Sequence, residues 1–349
     1  MTRTRLSQLL FVTLLLICVV LLPASATITA RFSNLTLGPS EKIEYDFTPS
    51  TTGELNIKLI LRTSPATVRV QLFREDQPIL DQTGSSTQTA KTEVVEADVG
   101  RSWHLQVTNI GQQTVEGRLE LTYPRLYCKD ITAQYRVKIS YEAGTELEDL
   151  HCQQLYSTLR SLPSDHLKRL REIRAREPDV FLYGQYFPPN LIELPGLRAG
   201  RTFTLVTYHE LGHLAHFTRS TTDQEERWEK LFNESGRDPD NFARDPIDRS
   251  LYAMTNHYED FAVTYSAYIA DSQLYINEAI VRSQRSKPLL LQKFKLMIEY
   301  FRHTVDDQAR VYIYRVGTEA PTPKIQRASV PLTTENLPDF TEPIQWESF

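Results

Sequence analysis

Cysteine is scarce in this chain: three among 349 residues, at positions 18, 128 and 152. That excludes a disulfide-built scaffold and a four-cysteine zinc or iron–sulfur site. Glycine (13) and proline (19) are too few for a collagen-like or low-complexity chain. Positive charge is in deficit, with 39 Lys and Arg against 44 Asp and Glu. A formal charge of -5 provides no basic footprint, so no nucleic-acid partner is expected. After the N-terminal region no apolar run approaches the roughly 20 residues that a membrane span needs. What is present is an ordinary globular balance, 40% hydrophobic and 24% charged, over a length that suggests about two domains.

The first 26 residues have the pattern of a secretory signal. Arg3 and Arg5 precede an apolar stretch, residues 9–22, and Ala24-Ser25-Ala26 follows as a small-residue cleavage site. The chain is therefore expected to be exported, to a periplasm or the extracellular space, with no membrane span after cleavage. Oligomeric state is not legible. Cleavage removes Cys18 and leaves Cys128 and Cys152 where a disulfide is permitted, and the even count favours a bridge.

From 27 to 124 the hydrophobic residues alternate. Ile43, Tyr45 and Phe47 form one set, and Leu55, Ile57, Leu59 and Leu61 the next. Val68, Val70 and Leu72, then Trp103, Leu105 and Val107, then Leu119, Leu121 and Tyr123 continue it. A period of two marks half-buried strands, and six or seven short ones predict an all-β, jelly-roll-like sandwich. The segment resembles the bacterial pre-peptidase C-terminal domain, on this pattern and on the strand Trp103 to Asn109. Asp76, Asp81 and Asp98 are read as solvated carboxylates rather than a calcium site.

The pattern changes after Pro124, where an α+β domain is expected over 125–316. Residues 132–140 read as a strand. Leu147, Leu150, Leu155 and Leu159 give helical spacing over 145–161. Leu167, Leu170 and Ile173 predict a second, basic helix over 164–176, with Ser164 as its N-cap. Residues 180–194 read as two short strands about a Pro-Pro turn, and helices are expected from about 203, 223, 253, 273 and 288. Residues 317–349 lack periodicity and are expected to be an extended or disordered tail.

The most informative string is Tyr208-His209-Glu210-Leu211-Gly212-His213. Apolar neighbours at Phe203, Val206, Leu211 and Leu214 place it on a helix. Histidines at i and i+4 then project from one face and can share a zinc ion. Glu210 sits one position round, where it can take a proton from water activated by the metal. With eight histidines in the chain, composition alone would produce this pattern about 0.01 times. His216 lies on the same face but further along the helix, and is read as structural.

A catalytic zinc needs a third protein ligand and an open fourth position. Glu225, Glu226, Glu229 and Glu234 lie in a charge-dense stretch and read as solvated. Glu259 lies in the apolar segment Tyr252 to Ala270, with no Lys or Arg within two turns. A carboxylate there must be paired or bound to metal, so Glu259 is the predicted third ligand. Asp260 points elsewhere round the helix.

Together, His209-Glu210-Leu211-Gly212-His213, Tyr252 and Glu259-Asp260-Phe261-Ala262 resemble the zinc metallopeptidase domain of anthrax toxin lethal factor and the Pro-Pro endopeptidases. These are gluzincins, whose third ligand is a glutamate. The resemblance, over about 140–305, implies a zincin-like fold and an exported zinc endopeptidase acting on peptide or protein substrates. It also implies that Tyr252, seven residues before Glu259, reaches into the site. The family often has a glutamate one turn after the ligand, orienting a histidine; here that position is Val263. The alternative from another class is a non-catalytic envelope or surface-binding protein with a structural metal.

Overall fold

The computed structural model describes residues 27–63, 66–142, 147, 149–177, 184–195 and 199–349. The expected signal segment lies outside them, as do 145, 146 and 148 of the expected helix and 180–183 of the expected strand before the Pro-Pro turn. The chain divides into two compact units, the second beginning at Tyr127.

The first unit contains eight strands: β1 (Thr27–Leu37), β2 (Lys42–Phe47), β3 (Gly53–Leu61), β4 (Val68–Arg74), β5 (Gln77–Gly84), β6 (Gln88–Val94), β7 (Trp103–Asn109) and β8 (Val115–Arg125). They form two antiparallel four-stranded sheets, ordered β1-β8-β3-β6 and β2-β7-β4-β5. The expected alternation is present: Trp103, Leu105 and Val107 on β7 and Leu55, Ile57 and Leu59 on β3 contribute to one hydrophobic core. Gly117 is needed for spacing, since a Cβ there would lie 2.6 Å from the Ile60 carbonyl oxygen on β3. Asn109 closes β7 from inside, its amide donating to the carbonyls of Leu37, Gly38 and Gln113 at 2.8–3.1 Å. Asp98, expected to be solvated, is instead buried against Arg74 at 2.5 Å.

The second unit begins with α1 (Tyr127–Tyr135), β9 (Lys138–Tyr141), α2 (Asp149–Ser161), β10 (Glu172–Arg176), β11 (Gln185–Phe187) and β12 (Leu191–Pro195). It continues with α3 (Arg201–Arg219), α4 (Thr222–Ser235), α5 (His257–Ala270), α6 (Ser272–Gln284) and α7 (Leu289–Phe301). It ends with β13 (Arg302–Val305), β14 (Gln308–Val316), β15 (Ile325–Pro331) and β16 (Glu347–Ser348). One sheet is mixed, ordered β11-β12-β10-β9, with β10 parallel to both neighbours and β11 antiparallel at an edge. The other is antiparallel, β13-β14-β15-β16. Among the described residues no helix is long and apolar enough to cross a membrane.

Three expectations change here. The strand read over 132–140 is the end of α1 followed by β9. The basic helix read over 164–176 is a short 3-10 turn, Ser164–Leu167, followed by strand β10. Ile173 and Ala175 on β10 are buried while Glu172, Arg174 and Arg176 alternate with them, and Arg174 pairs with Glu193 on β12 at 3.0 Å. Pairing on both edges overrode a leucine spacing that only coincidentally matched a helix. The tail from 317 is no appendage: β15 pairs with β14 along its whole length, and Ile325, Ala328 and Val330 enter the core. No periodicity was legible because alternation in β15 is broken, with Ile325, Ala328 and Val330 as its buried residues. Cys128 on α1 and Cys152 on α2 are bridged, their Cα atoms 5.0 Å apart.

Candidate metal centre

Helix α3 is buried from Phe203 to His216, so whatever it presents is held by packing. His209 and His213 stand one turn apart with ring centroids separated by 4.9 Å. Facing them is α5. Asn256 caps that helix, its side-chain oxygen accepting from the backbone N–H groups of Tyr258 and Glu259. The cap fixes where Glu259 leaves the first turn. The two helices approach closely because Gly212 lies against Ala262: a Cβ at 212 would be 3.1 Å from the Ala262 Cα. The small residue at 262 and the glycine inside the histidine motif thus serve one purpose.

The result is convergence. Glu259 Oε2 is 3.1 Å from His209 Nε2 and 3.3 Å from His213 Nε2. One donor atom from each of the three residues lies within 4.8 Å of the others. Bonds of about 2.0–2.1 Å in tetrahedral geometry place neighbouring ligand atoms about 3.3 Å apart. The spacings and the two-nitrogen, one-oxygen chemistry fit zinc. Burial raises the proton affinity of Glu259, but hydrogen bonds from both imidazoles and their charges outweigh it, and the carboxyl sits well below the usual range.

Glu210 is 3% exposed. Burial pushes its pKa up against the pull of His209 and His213. Its Oε2 is enclosed with no hydrogen-bond partner, which a water molecule would satisfy. Tyr252 occupies a 3-10 turn ahead of α5, its ring centroid 6.0 Å from that of His209. Partial burial and the carboxylates of Glu259 and Glu210 push its hydroxyl up to about 12. These five residues line one cavity of about 530 Å³.

The competing carboxylates are elsewhere. Glu225, Glu226, Glu229 and Glu234 are exposed on α4. Asp260 faces away from the cavity and pairs with Lys293 of α7 at 2.8 Å, both side chains fully buried. His216 stacks on Phe261, centroids 4.3 Å apart and planes 10° apart, and burial lowers its pKa to about 3. It takes no part in the three-residue group. Val263 is fully buried and apolar, so it orients no histidine.

Sequence reasoning missed several cavity residues. Asp245, in the loop between α4 and α5, is 6% exposed and accepts from the Ile247 N–H at 2.8 Å. Burial raises its pKa, and its charge acts on His209 and Glu259. Tyr186 of β11, Phe217 of α3 and Tyr258 of α5 form a wall, with centroids 5.5 and 4.9 Å apart along the stack. Of these, only the sequence position of Phe217, one turn past His213, carried a signal.

No family model matches the chain, and no curated protein matches it. Among solved structures it is similar to the Yersinia pseudotuberculosis-derived mitogen, with 18% identity, 28% of this chain and 86% of that one covered, and a TM-score of 0.24. It is also similar to the pre-peptidase C-terminal domain of collagenase from Bacillus anthracis, with 15% identity, coverage of 27% and 85%, and a TM-score of 0.21. A family 35 carbohydrate-binding module from Clostridium thermocellum gives 10% identity, coverage of 28% and 92%, and a TM-score of 0.20. The likeness to the pre-peptidase module is thus present as a weak neighbour, and at such scores none of these carries an argument about function.

Proposed function

We propose that this protein is an exported zinc-dependent metallopeptidase, an endopeptidase of gluzincin type in a zincin-like α+β domain. The observation that carries the reading is the convergence of His209, His213 and Glu259 with the buried Glu210 carboxylate beside them. Three protein donors leave a tetrahedral ion one open position, and these donors line a cavity; a structural zinc has four. This favours catalysis over a surface-binding protein with a structural metal. The Cys128–Cys152 bridge supports export, because disulfides persist in oxidising compartments.

His209, His213 and Glu259 would hold the zinc ion, which would supply Lewis acidity toward a peptide carbonyl and a water molecule. Glu210 takes the proton of that water and passes it to the departing amine. Burial raises its proton affinity, which makes the carboxylate a better base for the first of these transfers. Tyr252 keeps its proton through neutral pH, and its hydroxyl donates to the carbonyl oxygen as negative charge develops there.

Metal analysis of the parent and of Glu210→Gln, together with cleavage of a peptide mixture, tests the reading. Both proteins should hold zinc and only the parent should cleave. A zinc-loaded parent that cleaves no peptide would leave the non-catalytic reading standing.

A further inference from the structure

We propose that Gly184 is a positioning residue for Glu210: by carrying no side chain it leaves the space that the carboxylate occupies. The proposal rests on the reading of Glu210 as the general base. Gly184 lies immediately before β11 and lines the cavity. A Cβ on it would lie 2.5 Å from Glu210 Oε1, 2.9 Å from Cγ and 3.0 Å from Cδ. Carbon atoms in contact prefer about 3.5–4.0 Å, so three atoms of one side chain would have to move.

A surface glutamate would swing aside at little cost. Glu210 is confined. It leaves a helix that is buried all along the motif, and its Oε2 is already enclosed. The free space beside it is the cavity that it and Gly184 line together with His209, His213 and Glu259. Any side chain at 184 therefore displaces the carboxylate from the place it holds beside the ligands, out of line with the water it must deprotonate. A misplacement of about 1 Å can cost about 100-fold in rate. Gly184 thus acts through Glu210 and touches no reacting atom itself.

The zinc-loaded full chain is compared as parent, Gly184→Ala, Glu210→Ala and the double variant. Gly184→Ala is expected to keep its zinc and its KM while kcat falls by about 10–100-fold. It is also expected to melt lower than the parent by about 2–8 °C. In the Glu210→Ala background, where the space is open, the same substitution should leave the melting temperature unchanged. Equal melting losses in both backgrounds would overturn the proposal, as would a zinc-loaded Gly184→Ala with the parent's kcat. If Gly184→Ala alone fails to fold, the double variant must fold like Glu210→Ala, and its failure also overturns the proposal. The melting comparison needs no hydrolysis. A parent that cleaves nothing would remove the peptidase reading while leaving the contact between Gly184 and Glu210 to be judged by melting.

Discussion

Among the described residues the sandwich buries two polar side chains, Asp98 and Asn109, whereas the second unit buries nineteen, from His151 to Lys293. In the sandwich both are neutralised locally: Asn109 by three backbone carbonyls, Asp98 by Arg74. In the second unit many polar groups sit deep in the core, at a cost unless each is bonded. Some only hold the fold together. His166 meets the Tyr265 hydroxyl and the Tyr300 carbonyl at 2.8 and 2.9 Å, and Asp260 meets Lys293. Four others, His209, Glu210, His213 and Asp245, line the cavity. The contrast shows that alternation builds a core with few buried polar groups, while the packed helices of the second unit hold many of them.

The largest expected effect is Glu259→Ala, which should lose zinc and activity together while the sandwich is unaffected. Metal analysis alongside Glu229→Ala and Glu234→Ala checks it; full zinc in Glu259→Ala, with loss in either of the others, would reassign the ligand. Glu210→Gln should keep zinc and lose about 10²–10⁴-fold in hydrolysis, read as single-turnover rate at matched metal content.

Two buried ion pairs sharpen the comparison directly. Lys293→Met leaves the fully buried Asp260 without its cation and should cost about 3–5 kcal/mol in denaturant unfolding. Arg74→Met leaves Asp98, but the arginine side chain it replaces is 27% exposed, and water can replace part of the contact. A loss of about 1–3 kcal/mol is expected. Equal losses would show that depth of burial does not distinguish the units.

Tyr252→Phe should retain zinc and lower turnover by about 10²–10³-fold. An unchanged rate would make Tyr252 an ordinary wall aromatic. Reducing Cys128–Cys152, whose sequence separation is 24 residues, should cost about 3 kcal/mol of loop-closure entropy. Hydrogen exchange should rise within Tyr127–Phe349 and stay level in the sandwich, which has no cysteine among its described residues. A uniform rise would contradict that.

What the sequence determined by itself is what repeats over short distances. A period of two placed the sandwich strands. A spacing of four residues set His209 and His213 on one helical face. An acid without a nearby cation in an apolar helix singled out Glu259, now seen against both imidazoles. Each of these follows from backbone geometry within one element.

Contacts between distant elements were left to the tertiary structure. Leu167, Leu170 and Ile173 fit a helix as well as a turn and a strand, and only pairing with β9 and β12 chose the strand. The tail gained order from β14. Asp260 found its cation 33 positions later, on α7. Asp245 entered the cavity from a loop, and Gly184 came to lie against Glu210. In each case a residue's role depends on a neighbour far away in the chain, and such proximity has no local period to reveal it.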